Sequence, residues 1–282
     1  MSSFGLGHIP NASHRFSPVG IALARVGIAT APERGIDYRS ILPTVFDQGQ
    51  TSSCEGHAAS AGIYAALQKI GAPLGFIPSM ADLYRGARRL DRGHSSALAD
   101  HGTEGNSVIR WMQEFGVRPM EVNETSDGRF SDCEVSTINS DPKLGDLERD
   151  GASILIGAYS ILDTSRADVI AAYAQSLLAF GPIPTASYVD SALFSWNPAA
   201  GPIDSVNYDD PKGGEHKILC VGWRWTVNGA PASTFDPGAR REWILRNSWG
   251  DQWGESGHFY ATDRWLAQTD EREVYAVRKA SA

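Results

Sequence analysis

The chain has 282 residues and a mass of 30.4 kDa, which fits one large domain or two lobes sharing an interface. A hydrophobic fraction of 42% against 21% charged residues lets it bury a sizeable core. The net charge of −8, without a basic run, argues against nucleic acid or an anionic membrane as partner, and three cysteines exclude a disulfide-dense scaffold.

Residues 1–34 mix Gly, Ser, Pro and His with weak periodicity and read as an N-terminal extension wrapped on, or loosely attached to, the main body. The apolar run from Val19 to Ala31 is broken by Arg25 and has no basic patch before it, unlike a secretory signal. A second uncharged run, Val169 to Val189, contains Gly181-Pro182-Ile183-Pro184 and so reads as a helix followed by a strand, not a membrane span. A cytoplasmic protein, or one exported without a leader, is expected.

Ile36 to Arg39 reads as extended. The turn-rich stretch Asp47 to Ser53 then precedes Cys54 to Ile70, where Ile63, Leu67 and Ile70 recur at helical spacing among alanines, and Gly71 stops the helix. Pro78-Ser79 opens a second helix through Leu83, Tyr84 and Ala87. Asn106-Ser107 opens a third through Trp111 and Phe115, with Gly116 as its stop. Residues 121–150 carry nine acids against three bases and read as a solvated connector.

The second half changes character. Ala152 to Tyr159, Ile183 to Val189, Ile218 to Trp225, Trp243 to Arg246, Gly257 to Ala261 and Glu273 to Val277 read as strands. Ser165 and Asp168 form a capping box for a helix ending at Phe180-Gly181. Helices first and strands afterwards predict an α+β fold with a mainly helical lobe over 35–150 and a mainly β lobe over 151–282.

Four residues carry the chemistry. Cys54 opens a helix, where the macrodipole and unpaired N–H groups favour thiolate, although a lone cysteine is more often buried packing. Gln48, six residues earlier, offers an amide donor that together with the Cys54 N–H would face a developing oxyanion. His216 sits where a glycine turn enters a strand and suits a general base. Asn247 supplies a side-chain carbonyl to fix the imidazole tautomer, with Trp249 and Trp253 placed to shield that bond or simply to pack.

Gln48-Gly49-Gln50-Thr51-Ser52-Ser53-Cys54, Gly214-Glu215-His216 and Asn247-Ser248-Trp249-Gly250 resemble, in this order, the oxyanion-glutamine, base and Asn–Ser–Trp–Gly segments of papain-like cysteine peptidases. The resemblance runs from about Gly35 to near the C-terminus. It implies a two-lobed fold, a helical lobe and an antiparallel β-barrel-like lobe, with a groove between them that holds Cys54 and His216. It further implies a cysteine-type peptidase acting on peptide or protein substrates through Cys54, His216, Asn247 and Gln48. Gly102 and Thr103, together with Trp249 and Trp253, are the candidate substrate-binding residues. No cofactor and no metal are expected.

The chain also departs from that family. Thr51-Ser52-Ser53-Cys54-Glu55 stands where the family usually has Cys–Gly–Ser–Cys–Trp, so the first cysteine's disulfide cannot form, and Cys133 and Cys220 are expected to stay reduced. Glu55 would oppose thiolate if aimed at Cys54 and would be harmless if solvated. His57 reads as packing ahead of a titrating group or a metal ligand shared with Cys54. Cys54 and His216 are 162 residues apart, a wide spacing for the family, and a hairpin extension over 226–238 lies between His216 and Asn247. An acyl-transferring relative and a catalytically silent scaffold of a larger assembly are the competing readings.

Overall fold

The alanine-rich run after the Asp47–Ser53 turn forms α1, Cys54–Lys69, as its apolar spacing predicts. The computed structural model describes Leu6 and residues 34–91, 100–120, 158–161, 169–232, 236–269 and 271–276, with backbone alone for 158–161 and 271–276. Nearly all the 1–34 extension, the acidic connector, Cys133, the Ser165–Asp168 capping box and part of the hairpin extension therefore lie outside the described residues. The helix α2, Met80–Leu90, starts where Ser79 Oγ accepts from the Asp82 N–H at 3.0 Å. It is followed by α3, Gly105–Phe115, which ends at Gly116. Ile63 and Leu67 of α1 pack with Leu83 and Ala87 of α2 and with Val108 and Trp111 of α3.

Strands β1, Ile36–Asp37, and β2, Ala158–Ile161, flank this region in sequence, and α4, Val169–Phe180, leads into β3, Ile183–Val189, at the boundary the Gly181-Pro182 break predicts. A single turn α5, Ser191–Phe194, precedes β4, Gly214–Val227. Then come β5, Ala230–Ala232, β6, Arg240–Arg246, β7, His258–Ala261, the short α6, Asp263–Ala267, and β8, Glu271–Ala276. The strands form an antiparallel sheet in the order β2-β8-β3-β4-β6-β7, with β1 and β5 pairing onto β4. Among the described residues the sheet is not closed, with β2 and β7 at its ends.

β4 is longer than the sequence suggested because it is buried on both sides, so no polar alternation marks its ends. A bulge between Cys220 and Gly222 lets β1 cross it: a Cβ on Gly222 would lie 2.0 Å from the Ile36 carbonyl oxygen, so only glycine fits. The side of α1 opposite the helical core, at Ala61, joins the sheet core of Tyr173, Trp223, Trp243 and Phe259. One helix thus serves both halves, and its first residue stands where they meet. Among the described residues no helix is long and apolar enough to cross a membrane.

Candidate active site

Two backbone connections bring the predicted segments together. The Gln48 N–H donates to the Ser248 carbonyl at 2.8 Å, and the Gly250 N–H donates to the Phe46 carbonyl at 3.2 Å, so residues 46–48 run beside the Asn247–Gly250 segment. Arg246 reinforces this by donating to the Pro43 and Thr44 carbonyls at 2.7 and 2.6 Å; burial pulls its pKa down to about 9. The turn before the nucleophile is tied internally. Thr51 Oγ1 bonds to the Gln48 carbonyl at 2.7 Å and shares a 2.7 Å bond with Ser53 Oγ.

Gln48 is buried, and its amide has a fixed sense. Ser248 Oγ donates to Oε1, which leaves Nε2 as the donor end, and that nitrogen donates to the Thr51 carbonyl at 2.6 Å. Cys54 is the first residue of α1 and is fully buried. The other described thiol, Cys220, is also buried, and burial raises its pKa well above the ordinary thiol range, so it stays a thiol.

His216, the third residue of β4, is fully buried. Its Nε2 lies 2.8 Å from Asn247 Oδ1. The Ser248 N–H also donates to Oδ1 at 2.8 Å, which identifies that atom as the oxygen and makes Nε2 of His216 the protonated donor. Nδ1 is then the unprotonated nitrogen of the neutral ring. Trp249 stacks on the imidazole at 5.1 Å between ring centroids and 23° between planes, and Trp253 meets Trp249 edge-on at 5.0 Å. The pair therefore shields the His216–Asn247 bond on one side. Trp253 also packs against Trp196 and Phe259, which places it in the aromatic core behind Trp249.

Gly102 and Thr103 lie on a loop anchored to the nucleophile turn. Asp100 accepts the Ser52 N–H on both carboxylate oxygens at 3.1 Å, Tyr84 Oη donates to Asp100 Oδ1 at 2.5 Å, and the Gly102 N–H donates to Tyr84 Oη at 3.0 Å. Burial, then the Asp100 carboxylate, raise the Tyr84 pKa and keep it a donor. In a chain without the family's cysteine at position 51, this clasp holds the two loops together. The sequence marks neither Tyr84 nor Asp100, because they meet only in the folded chain. Thr103 turns its hydroxyl to Asp91 at 2.7 Å and is fully buried.

One residue flagged by the sequence takes an unexpected place. Glu55 is neither aimed at solvent nor solvated at the helix end: it is buried and pairs with Lys217 at 3.3 Å. His57 is buried, and its pKa falls to about 3, first through burial and then through Arg246 and His216. It lines a cavity of about 10 Å³, room for one water, with Lys217, Arg246 and Asn247. Among the described residues no cluster of three or more His, Cys, Asp or Glu could hold a metal.

A pH dependence of stability follows. His57 and His258, the latter lowered to about 4 mainly by burial, remain neutral in the folded chain below the ordinary histidine value of 6.5. The unfolded chain binds those protons first, so the stability they contribute is present above pH 6.5 and is lost as pH falls towards 4. Glu55 runs the other way, its pKa raised chiefly by burial. His57→Gln should therefore flatten the fall in unfolding free energy between pH 6 and 4 by close to one proton, about 1.4 kcal/mol per pH unit, as read by denaturant titration at each pH. An unchanged slope would mean that His57 is protonated in the native state.

Asn247→Ala should lower turnover less than Cys54→Ala or Gln48→Ala, the outcome expected of a side chain that holds the imidazole without reacting. Its signature is a fall in kcat with KM nearly constant, measured on a peptide substrate. A KM effect alone would make Asn247 a packing residue.

The model of the papain family of cysteine proteases matches residues 159–275. Cysteine proteinase 3 of Entamoeba histolytica is 23% identical over 243 residues, which are 83% of this chain and 64% of that protein; the chain thus spans less than two thirds of that relative. Among solved structures, xylellain, a cysteine protease from Xylella fastidiosa, superposes with a TM-score of 0.70 at 21% identity over 98% of this chain and 97% of that one. The bromelain protease from Ananas comosus, solved in complex with the E64 inhibitor, gives 0.61 at 16% identity over 87% and 99%. The chain therefore has the papain-like fold, and its sequence resemblance to papain-family cysteine proteases holds.

Proposed function

We propose that this protein is a papain-like cysteine peptidase whose groove lies between a helical lobe, 35–150, and a β lobe, 151–282. Cys54 attacks the scissile carbonyl as a thiolate paired with the His216 imidazolium. The carbonyl oxygen becomes an oxyanion that accepts from Gln48 Nε2 and the Cys54 N–H. His216 gives its Nδ1 proton to the leaving amine. A water, deprotonated by His216, then attacks the thioester and releases the acid and the thiol. The loop that carries Gly102 and Thr103 forms one wall of the groove, and Trp249 roofs the base.

The observation that supports this reading most is the His216 Nε2–Asn247 Oδ1 bond of 2.8 Å under Trp249, because it fixes a proton on Nε2 and so makes Nδ1 the nitrogen that trades a proton with Cys54 and the leaving amine. The test is covalent labelling of the intact chain with an epoxide inhibitor of papain-like enzymes, followed by peptide mapping. One adduct on Cys54, none on Cys133 or Cys220, and parallel loss of peptide cleavage are expected. Labelling of Cys133 with Cys54 unmodified would overturn the assignment.

A further inference from the structure

We propose that the buried Glu55–Lys217 ion pair positions Cys54 against His216 across the interface between helix and sheet, an assignment that rests on the peptidase reading above. Glu55 follows Cys54 in α1, and Lys217 follows His216 in β4. One contact therefore joins the residue after the nucleophile to the residue after the base. Lys217 Nζ stands 3.3 Å from Glu55 Oε1, and the two side chains are 0% and 1% exposed.

Energetics favour a geometric role over a stabilising one. Burying each ion costs several kcal/mol, and the mutual attraction repays that only in good geometry; an apolar pair of similar size is often as stable or more so. Apolar contacts tolerate sliding, whereas an ion pair loses its compensation as it is pulled apart. Consecutive Cα atoms are about 3.8 Å apart, so a shift of helix against strand at Glu55 and Lys217 passes almost undiminished to Cys54 and His216. A misplacement of about 1 Å between reacting groups can cost on the order of 100-fold in rate.

Asp91 is the other acid acting on Glu55, and it repels the carboxylate. Lys217 shares its cavity with the cationic Arg246 and the neutral His57. Removing Glu55 would leave two buried cations beside the base, and removing Lys217 would leave a buried carboxylate beside the nucleophile.

The test uses the full chain and three changes: Glu55→Gln, Lys217→Met and the double variant Glu55→Leu with Lys217→Met. Each is measured for unfolding midpoint, kcat, KM and the rate of Cys54 alkylation by iodoacetamide. The single variants should unfold at lower temperature and lose tenfold or more in kcat, with KM within about twofold of the parent. The double variant, free of buried charge, should regain the parent's midpoint while kcat and the alkylation rate stay down tenfold or more. Recovery of both stability and kcat in the double variant would overturn the positioning role and leave the peptidase reading intact. A parent chain that neither cleaves peptide nor alkylates faster at Cys54 than a simple thiol would overturn both.

Discussion

Cys54→Ala should abolish peptide cleavage while leaving the thermal unfolding midpoint within a few degrees of the parent. Among the described residues the thiol is the strongest nucleophile at the start of α1. Cys220 is fully buried and held protonated, and Cys133 falls in the acidic stretch outside the described residues. Removing one buried sulfur from a helix already rich in alanine loses little packing and keeps a good helix former at its first turn. Cleavage is read by mass analysis of a peptide digest, and folding by thermal unfolding. Activity retained in the Cys54→Ala chain would end the proposed role.

Gln48→Ala should slow turnover by about 10²–10³-fold, equivalent to about 2.7–4 kcal/mol of transition-state stabilisation, with a smaller effect on KM. Its amide is oriented before substrate arrives: Ser248 holds Oε1, and the Thr51 carbonyl takes one Nε2 hydrogen at 2.6 Å. The amide carries a second hydrogen, and charge develops on the substrate oxygen only as the tetrahedral state forms, so the loss falls on kcat. A variant with raised KM and unchanged kcat would place Gln48 in substrate binding instead.

Much of the fold was legible because the signals are local. Ser79 before α2, Gly71 and Gly116 after α1 and α3, and the Gly181-Pro182 break before β3 each act within a turn of chain. The candidate site was named on another ground: Gln48, Cys54, His216 and Asn247 appear in the order of the family the sequence resembles, within distinctive neighbours. What the sequence hid is set by tertiary register. Glu55 reads as an awkward acid beside a thiol until Lys217 is placed against it. Asp100 and Tyr84 carry no local mark, yet they fasten the nucleophile turn to the Gly102 loop. The pairing of β1 onto β4 depends on a bulge at Gly222.

The central claim is covalent catalysis by Cys54, and the most direct measurement is single-turnover analysis with an activated ester of a short peptide. Quenched samples are followed for release of the alcohol and by mass spectrometry of the protein. The account predicts a burst of alcohol approaching one equivalent per chain and a transient acyl group mapped to Cys54, lost as the peptide acid appears. Turnover with no burst and no acyl group on any residue, or an acyl group that maps to Cys133 or Cys220, would contradict it.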